Sequence, residues 1–261
     1  MGILESIVLG LVQGLTEFLP VSSSGHLVLL QNVFGISEPQ LFFDTMLHLG
    51  TLIAVVVVMW RSIVDLFRKP FSKLIYLIIA TIPAVVVTLL FKDFIEGTFS
   101  GMFLGYGFLL TAIFLTAAEL LSSRIRRRKK INAGIALGMG VMQAVAIFPA
   151  ISRSGSTIAG GLACGINRRE AATFSFLMSI PAILGSVVVQ GYEIVKANSM
   201  PTDLFPTIIG TVCAAVSGFF AIKFMIALIS KKKLYGFAIY VAILGILVLL
   251  DQNVFGLIKW A

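Results

Sequence analysis

The chain has 261 residues, of which 58% are hydrophobic and only 12% are charged, and its mean hydropathy is +1.03. Soluble domains carry about a quarter charged residues, so this composition excludes an ordinary soluble protein. The net charge of +8 does not indicate nucleic-acid binding, because the basic residues lie in short stretches between apolar segments, where membrane proteins carry their orientation charges.

Six apolar segments are long enough to cross a bilayer as helices. They cover residues 41–60, 74–91, 103–122, 171–190, 204–226 and 234–251. The residue alternation of a membrane β-barrel is absent from them, and no polar stretch is long enough to form a soluble domain. The sequence therefore predicts an all-α, polytopic membrane protein.

Two further apolar stretches are interrupted by polar clusters. The first is QGLTEFLPVSSSGHL at residues 13–27, and the second is FPAISRSGSTI at residues 148–158. Pro20 and Pro149 cannot continue a helix without loss of a backbone hydrogen bond. Each stretch is therefore expected to form a short helix, a break and a second short helix. This is the pattern of a re-entrant hairpin, which is tolerated in a membrane only where protein or water surrounds it.

The chain also contains an internal repeat with a constant offset of 130 residues. The matches pair Gly10 with Gly140, Gln13 with Gln143, Ser22 with Ser152, Ser24 with Ser154, Gly25 with Gly155 and 78–86 with 208–216. Each half has three long apolar segments, an odd number, so the second half must start on the opposite membrane face. The prediction is two inverted repeats, 1–123 and 131–261, joined by the basic linker 124–130 and each containing one re-entrant hairpin and three spans.

The basic residues support this arrangement, because it places fifteen of them on one face. They are Arg61, Arg68, Lys69, Lys73, the six basic residues of 124–130, Arg168, Arg169 and Lys231–Lys233. Basic loops mark the cytoplasmic side, so the first hairpin is expected to enter from outside and the second from the cytoplasm. Glu119, near the cytoplasmic end of its span, is expected to reach water.

The polar clusters contain groups that are costly at membrane depth and therefore indicate function. These are Glu17, His26 and Arg153. The serines have a second interpretation, in which Ser22, Ser24 and Ser154 bond the backbone groups freed at the breaks. Arg153 offers a planar fork of donors that matches phosphate oxygens.

Three more features favour phosphoryl transfer from a lipid phosphate. Ser23 is a candidate nucleophile, and His26, three residues later, is a candidate base. The Glu17 carboxylate could hold Mg²⁺ or Ca²⁺, which prefer oxygen ligands. Asp44 and His48, at i and i+4 on one helix face, either support the site or form an interhelical hydrogen bond, and both are left out of the catalytic set.

The chain resembles the undecaprenyl-diphosphate phosphatase family of the bacitracin-resistance type over its whole length. QGLTEFLPVSSSGH is similar to the first motif of that family, and FPAISRSGST is similar to its second motif, Pro-Gly-x-Ser-Arg-Ser-x-x-Thr. Ala150 replaces the glycine of that motif, which affects the backbone turn and removes no reactive group. The resemblance implies removal of the terminal phosphate from undecaprenyl diphosphate, which recycles the lipid carrier of bacterial cell-wall synthesis.

The resemblance also implies roles for individual residues. Glu17 and Gln13 would serve a divalent cation, Mg²⁺ or Ca²⁺, and Ser23 and His26 would form the nucleophile and base pair. The order in that pair is open, with Ser23 favoured as the attacking group. The implied phosphate-binding residues are Arg153, Ser152, Ser154 and Thr157.

The expected location is the bacterial inner membrane, with the active site facing the periplasm or outer surface. The partners are then the polyprenyl diphosphate lipid and the bilayer, without nucleic acid, and the oligomeric state, a homodimer included, is open. Inverted repeats with broken helices are also typical of transporters, so a lipid or ion transporter is the alternative. The set Ser23, His26 and Arg153 favours a hydrolase, because a transporter has little need for a nucleophile and a base.

Overall fold

The computed structural model describes residues 1–36, 40–91, 101–125, 128–196, 204–258 and 260. These residues form ten α-helices, a short π-helical turn at Asp251–Phe255 and no strand. In chain order the helices are α1 (Ile3–Phe18), α2 (Ser23–Val33), α3 (Leu41–Leu66), α4 (Ser72–Leu90), α5 (Leu104–Arg124), α6 (Ala133–Val145), α7 (Arg153–Ala163), α8 (Arg168–Lys196), α9 (Leu204–Ile229) and α10 (Tyr235–Leu250).

Six helices of the described chain are long and apolar enough to cross a membrane: α3, α4, α5, α8, α9 and α10. They coincide with the six predicted segments, so the prediction of an all-α, polytopic membrane protein is confirmed. Several helices run past their apolar cores. The helix α3 continues to Leu66 and α8 begins at Arg168, because charged residues at a helix end can lie in the polar headgroup region while the backbone stays helical.

The other four helices are short and lie on either side of the predicted breaks. The helix α1 has 16 residues, about 24 Å at 1.5 Å per residue, which is less than the hydrocarbon thickness of a bilayer. Ser22 and Ser152 occupy the same repeat position and have the same structural role. Each is an N-cap, and its hydroxyl accepts the backbone N–H of Gly25 or Gly155 respectively.

The first and second halves of the chain interlock. The helix α1 packs on α9, α4 on α6, α3 on α8, and α5 on α10, so each of these pairs takes one helix from each half. The contact between α1 and α9 is especially close, since a Cβ at Gly10 would lie 2.3 Å from the carbonyl oxygen of Gly210. Neither half is therefore a separate packing unit.

One expectation about the basic face is wrong. Glu119 is 1% exposed and does not reach water. Both of its carboxylate oxygens accept hydrogen bonds from Arg168, and the N–H of Leu234 donates to it at 2.8 Å. The start of α8 therefore covers the end of α5, and this ion pair connects α5, α8 and the start of α10. The predicted linker 124–130 is described only at its ends, because residues 126–127 lie outside the described residues.

Candidate active site

The two helix breaks meet inside the bundle, although they are about half the chain apart. The hydroxyl of Ser154 donates to the carbonyl oxygen of Leu19 at 2.8 Å. A Cβ at Gly155 would lie 3.3 Å from the Cβ of Pro20, so no larger side chain separates the two breaks. This contact brings the two polar clusters into one site.

Glu17 lies at the centre of this site, in the last turn of α1, and is 8% exposed. Its Oε1 forms an ion pair with Nη2 of Arg153, the first residue of α7. Its Oε2 accepts hydrogen bonds from the hydroxyl of Ser23 at 2.6 Å and from Nε2 of Gln13 at 3.1 Å. One buried carboxylate thus joins the two clusters.

Arg153 keeps part of its donor capacity free. Nη2 binds Glu17, and Nη1 makes a long hydrogen bond of 3.5 Å to the carbonyl oxygen of Ser175. A guanidinium carries five N–H groups, so further donors can bind an anion. The backbone N–H groups of Arg153 and Ser154, at the start of α7, also have no acceptor among the described residues.

Ser23 and His26, predicted as a nucleophile and base pair, are not hydrogen-bonded to each other in the described structure. The hydroxyl of Ser23 donates to Glu17 instead. Both residues lie on α2, and their spacing of three would allow contact on one helix face. The contact fails because the His26 ring turns towards α5 and α10.

Both ring nitrogens of His26 have partners in that environment. Nδ1 lies 2.7 Å from the carbonyl oxygen of Ser22, which can only accept, so Nδ1 carries the proton. Nε2 of the neutral ring then accepts from the hydroxyl of Tyr240 at 2.7 Å. Tyr240 stacks on the imidazole with ring centroids 5.7 Å apart, and Phe108 contacts it edge-on at 5.4 Å. His26 is therefore fixed in one tautomer and one orientation.

His48, which the sequence placed outside the catalytic set, lies beside Glu17. Its Nδ1 donates to the carbonyl oxygen of Asp44 at 2.8 Å, and its Nε2 is 3.9 Å from Oε2 of Glu17. The Asp44 side chain accepts a hydrogen bond from Gln31 at 2.8 Å instead of contacting the site. His48 therefore lies at the site, whereas the Asp44 side chain forms an interhelical hydrogen bond.

The hydroxyls predicted to bind phosphate are used within the protein in this structure. Ser152 caps α7, Ser154 bonds Leu19, and Thr157 pairs with the hydroxyl of Ser175 at 2.6 Å. All three are at most 1% exposed. Their hydroxyls support the backbone at the break, which is the second interpretation given above for Ser154.

The described residues contain no cluster of three or more His, Cys, Asp or Glu residues able to hold a metal ion. Oε1 of Gln13 is nevertheless buried and has no donor, while Nε2 of the same amide bonds Glu17. An oxygen without a donor beside a carboxylate fits a hard cation. Mg²⁺ commonly binds one or two protein oxygens and takes its other ligands from phosphate and water.

Tyr240 and Ser175 are the site residues that sequence reasoning missed. Tyr240 lies in the apolar segment of α10, 214 positions from His26, and is part of neither polar cluster. The only available signal was the polar tip of a tyrosine within an otherwise apolar span, and buried tyrosine hydroxyls usually find a partner. That rule predicts a hydrogen bond and does not identify histidine as the acceptor.

The chain is similar to known proteins over almost its whole length. Residues 6–247 match the family model described as Bacitracin resistance protein BacA. The undecaprenyl-diphosphatase of Carboxydothermus hydrogenoformans is 48% identical over 252 residues, which cover 95% of this chain and 97% of that relative. The undecaprenyl-diphosphatase of Halothermothrix orenii is 40% identical over 259 residues, 98% of this chain and 100% of that relative.

The matched region includes both helix breaks and all six long apolar helices up to residue 247. The similarity extends over nearly the full length of both relatives, so it covers the bundle as a whole as well as the two motifs. The chain therefore belongs to the BacA bacitracin-resistance family.

Proposed function

We propose that this membrane protein hydrolyses undecaprenyl diphosphate to undecaprenyl phosphate and inorganic phosphate. The relatives named undecaprenyl-diphosphatase support this activity. The observation that carries it is the contact of one buried carboxylate, Glu17, with a serine hydroxyl and an arginine. The reaction regenerates undecaprenyl phosphate, the carrier lipid of cell-wall synthesis, and this activity explains resistance to bacitracin.

Substrate binding uses Arg153 and the start of α7. The free guanidinium donors and the free N–H groups of Arg153 and Ser154 point to binding of the diphosphate oxygens. Ser152, Ser154 and Thr157 act indirectly, because their hydroxyls hold the break that presents Arg153. The diphosphate competes with Glu17 for Arg153, so binding frees the carboxylate.

Ser23 is the nucleophile in this proposal. Its hydroxyl already donates to Glu17 at 2.6 Å, so the carboxylate can take the proton as Ser23 Oγ attacks the terminal phosphorus. The bond from that phosphorus to the bridging oxygen breaks, and undecaprenyl phosphate leaves. Water then attacks the phosphoserine, the bond from phosphorus to Ser23 Oγ breaks, Oγ takes back the proton held by Glu17, and inorganic phosphate leaves. The imidazole of His26 does not contact Ser23, so it is not the base of the first step. We assign His26, oriented by Tyr240, to the second step.

Glu17 and Oε1 of Gln13 would hold the divalent cation, Mg²⁺ or Ca²⁺, beside the diphosphate. A bound cation supplies neutralisation of the charge that develops on the phosphate oxygens. Oε1 of Glu17, which pairs with Arg153 in this structure, would be its ligand once that guanidinium binds the diphosphate.

The proposed topology is two inverted repeats, 1–123 and 131–261, in the bacterial inner membrane. Two observations support it. Ser22 and Ser152 are N-caps at matching repeat positions, and the contacts of α1 with α9 and of α4 with α6 each join one helix from each half. The short helix pairs α1–α2 and α6–α7 are re-entrant hairpins that enter from opposite faces. With the basic loops in the cytoplasm, the site opens towards the periplasm.

The test uses purified protein and undecaprenyl diphosphate, with and without Mg²⁺. We expect one inorganic phosphate for each undecaprenyl phosphate formed, and no release by Glu17→Gln. A transporter of the same architecture would instead move the labelled lipid across a vesicle membrane without releasing phosphate. Lipid movement without phosphate release would contradict the proposal.

A further inference from the structure

An apolar groove lies between α3 and α4. Its volume is about 480 Å³, and α8 forms its floor through Ile180, Pro181 and Leu184. Apolar side chains of α3 and α4 form its walls, among them Ile63, Ile78 and Val85. The hydroxyl of Thr81 also lines the groove but donates to the carbonyl oxygen of Leu77 at 2.8 Å, so it offers no free polar group.

The groove exists because α4 stands apart from most of the bundle. Only 6% of its apolar window is buried, compared with 28% to 50% for the other five long helices. Water does not fill an apolar space inside a bilayer, and an unfilled space forfeits the dispersion contacts of its lining. A hydrocarbon chain is therefore the occupant that the groove requires.

A second, cationic cavity lies at the turn that joins α3 and α4. Its volume is about 250 Å³, and its lining consists of Asp65, Arg68, Lys69, Pro70, Ser72 and Lys73. Asp65 pairs with Arg68 at 3.0 Å, while Lys69 and Lys73 have no ion-pair partner among the described residues. The start of α4 faces the same turn, and its N-cap residue Phe71 provides no side-chain acceptor for the first N–H groups.

The residues that line the two cavities are neighbours in the chain. Leu66, Phe67 and Leu74 line the apolar groove, and Arg68, Lys69 and Lys73 line the cationic cavity between them. A ligand that satisfies both has a negatively charged head and a hydrocarbon chain. We propose that the α3–α4 groove binds one anionic phospholipid, with its phosphate at Lys69 and Lys73 and an acyl chain along α4.

The substrate of the phosphatase reaction does not explain this site. His48, which contacts Glu17, is 18 residues before Leu66 in α3, about 27 Å along the helix axis. The charged end of the groove is beyond Leu66, so a lipid with its diphosphate at Glu17 and Arg153 would have its head at the wrong end. The phospholipid site is therefore independent of the proposed hydrolysis.

Trp60 provides a probe of the groove. It is 60% exposed and lies on the same face of α3 as Ile63 and Phe67. In a Trp260→Phe background, Trp60 is the only tryptophan of the chain. The protein is reconstituted in phosphatidylcholine vesicles containing a small fraction of lipid with brominated chains, either phosphatidylglycerol or phosphatidylcholine, and quenching of Trp60 is measured.

We expect brominated phosphatidylglycerol to quench Trp60 several-fold more strongly than brominated phosphatidylcholine. Each basic residue near a membrane surface strengthens binding of anionic lipid about fivefold, so Lys69→Gln with Lys73→Gln should remove this preference. The matched control is Lys231→Gln with Lys232→Gln, which changes two exposed lysines of the same face away from the groove. The control should keep the preference. Phosphate release in detergent verifies that both variants are folded.

Three outcomes would overturn the proposal. Equal quenching by the two brominated lipids would show only non-selective lipid contact. Equal loss of preference in both double variants would show diffuse attraction to the basic face. Displacement of brominated phosphatidylglycerol by undecaprenyl phosphate, at a concentration where unlabelled phosphatidylglycerol has no effect, would assign the groove to the carrier lipid.

Discussion

At the scale of single residues, His26 depends on Tyr240 for its orientation. The hydroxyl of Tyr240 donates to Nε2 at 2.7 Å, and removing it leaves the imidazole with one fixed nitrogen. We predict that Tyr240→Phe lowers kcat about tenfold, within the range that mutation of an orienting partner costs. The value of KM should stay unchanged, because Tyr240 does not contact Glu17 or Arg153.

The control for this change is Tyr106→Phe, which removes the hydroxyl of a tyrosine that is 59% exposed on α5. Steady-state phosphate release from both variants is compared with that of the wild type. Equal rates for Tyr240→Phe and the wild type would show that His26 needs no second partner, or that the imidazole has no part in the reaction.

Ala150, which replaces the glycine of the family motif, has a left-handed backbone with φ of +60° and is fully buried. Left-handed geometry costs alanine about 1 kcal/mol relative to glycine, and a buried methyl group returns about 1 kcal/mol. Ala150→Gly should therefore retain its activity, with a Tm within about 3 °C of the wild type.

The substitution Ala150→Val tests the same backbone geometry by adding side-chain volume. A Cβ at Gly107 would lie 2.7 Å from the methyl group of Ala150, and one at Gly25 would lie 3.2 Å from it. A branched side chain therefore has no space, and branched residues avoid positive φ. We expect little folded protein, measured by size-exclusion chromatography, and a Tm above that of Ala150→Gly would contradict this account.

At the scale of helices, the contact between α1 and α9 requires residues without side chains. A Cβ at Gly14 would lie 2.3 Å from the carbonyl oxygen of Ala214. Gly14→Leu should destabilise the protein by about 3 kcal/mol or more, because backbone cannot move away as a side chain can. Gly185→Leu on α8 is the matched control, since nothing lies within 4 Å of its Cβ position. Similar melting temperatures for the two variants would contradict the packing.

The helices and their breaks could be predicted from sequence because each has a local cause. Length and apolarity identified the spans, and Pro20 and Pro149 marked the two breaks. The repeat offset indicated that Ser22 and Ser152 are equivalent, and both are N-caps. The ends of the spans were less predictable, because charged residues continue a helix into the headgroup region.

At the scale of the whole molecule, most contacts between distant elements could not be predicted. The sequence placed Ser23 beside His26 from their spacing, but the ring packs against α5 and α10. The burial of Glu119 depends on where the start of α8 lies, which no local pattern encodes. The meeting of the two polar clusters is the exception, because their similar sequences at 13–27 and 148–158 already grouped Ser23, His26 and Arg153 in one expected site.

The orientation of the molecule can be tested at the two ends of α10. In a background with Cys164→Ser and Cys213→Ser, Lys232→Cys and Leu257→Cys each provide one exposed thiol, the latter at a position that is 83% exposed. An impermeant thiol reagent added to intact cells should label Leu257→Cys alone. Labelling of Lys232→Cys alone would reverse the proposed orientation.

The central claim is that Glu17 and Arg153, from opposite halves of the chain, form one phosphatase site. The structure contains a second pair of an arginine with a buried carboxylate, Arg168 with Glu119, which lies at the basic face. The two pairs therefore provide matched substitutions, Arg153→Lys and Arg168→Lys. A lysine keeps the charge but loses the planar fork of donors.

The measurement is kcat/KM for phosphate release from undecaprenyl diphosphate by these two variants, together with their Tm values. We predict that Arg153→Lys loses about 100-fold or more, as expected for loss of donors to transition-state charge, with little change in Tm. Arg168→Lys should keep its rate within a few-fold and melt at a lower temperature. Arg153→Lys with the wild-type rate, or equal loss of rate in both variants, would contradict the account.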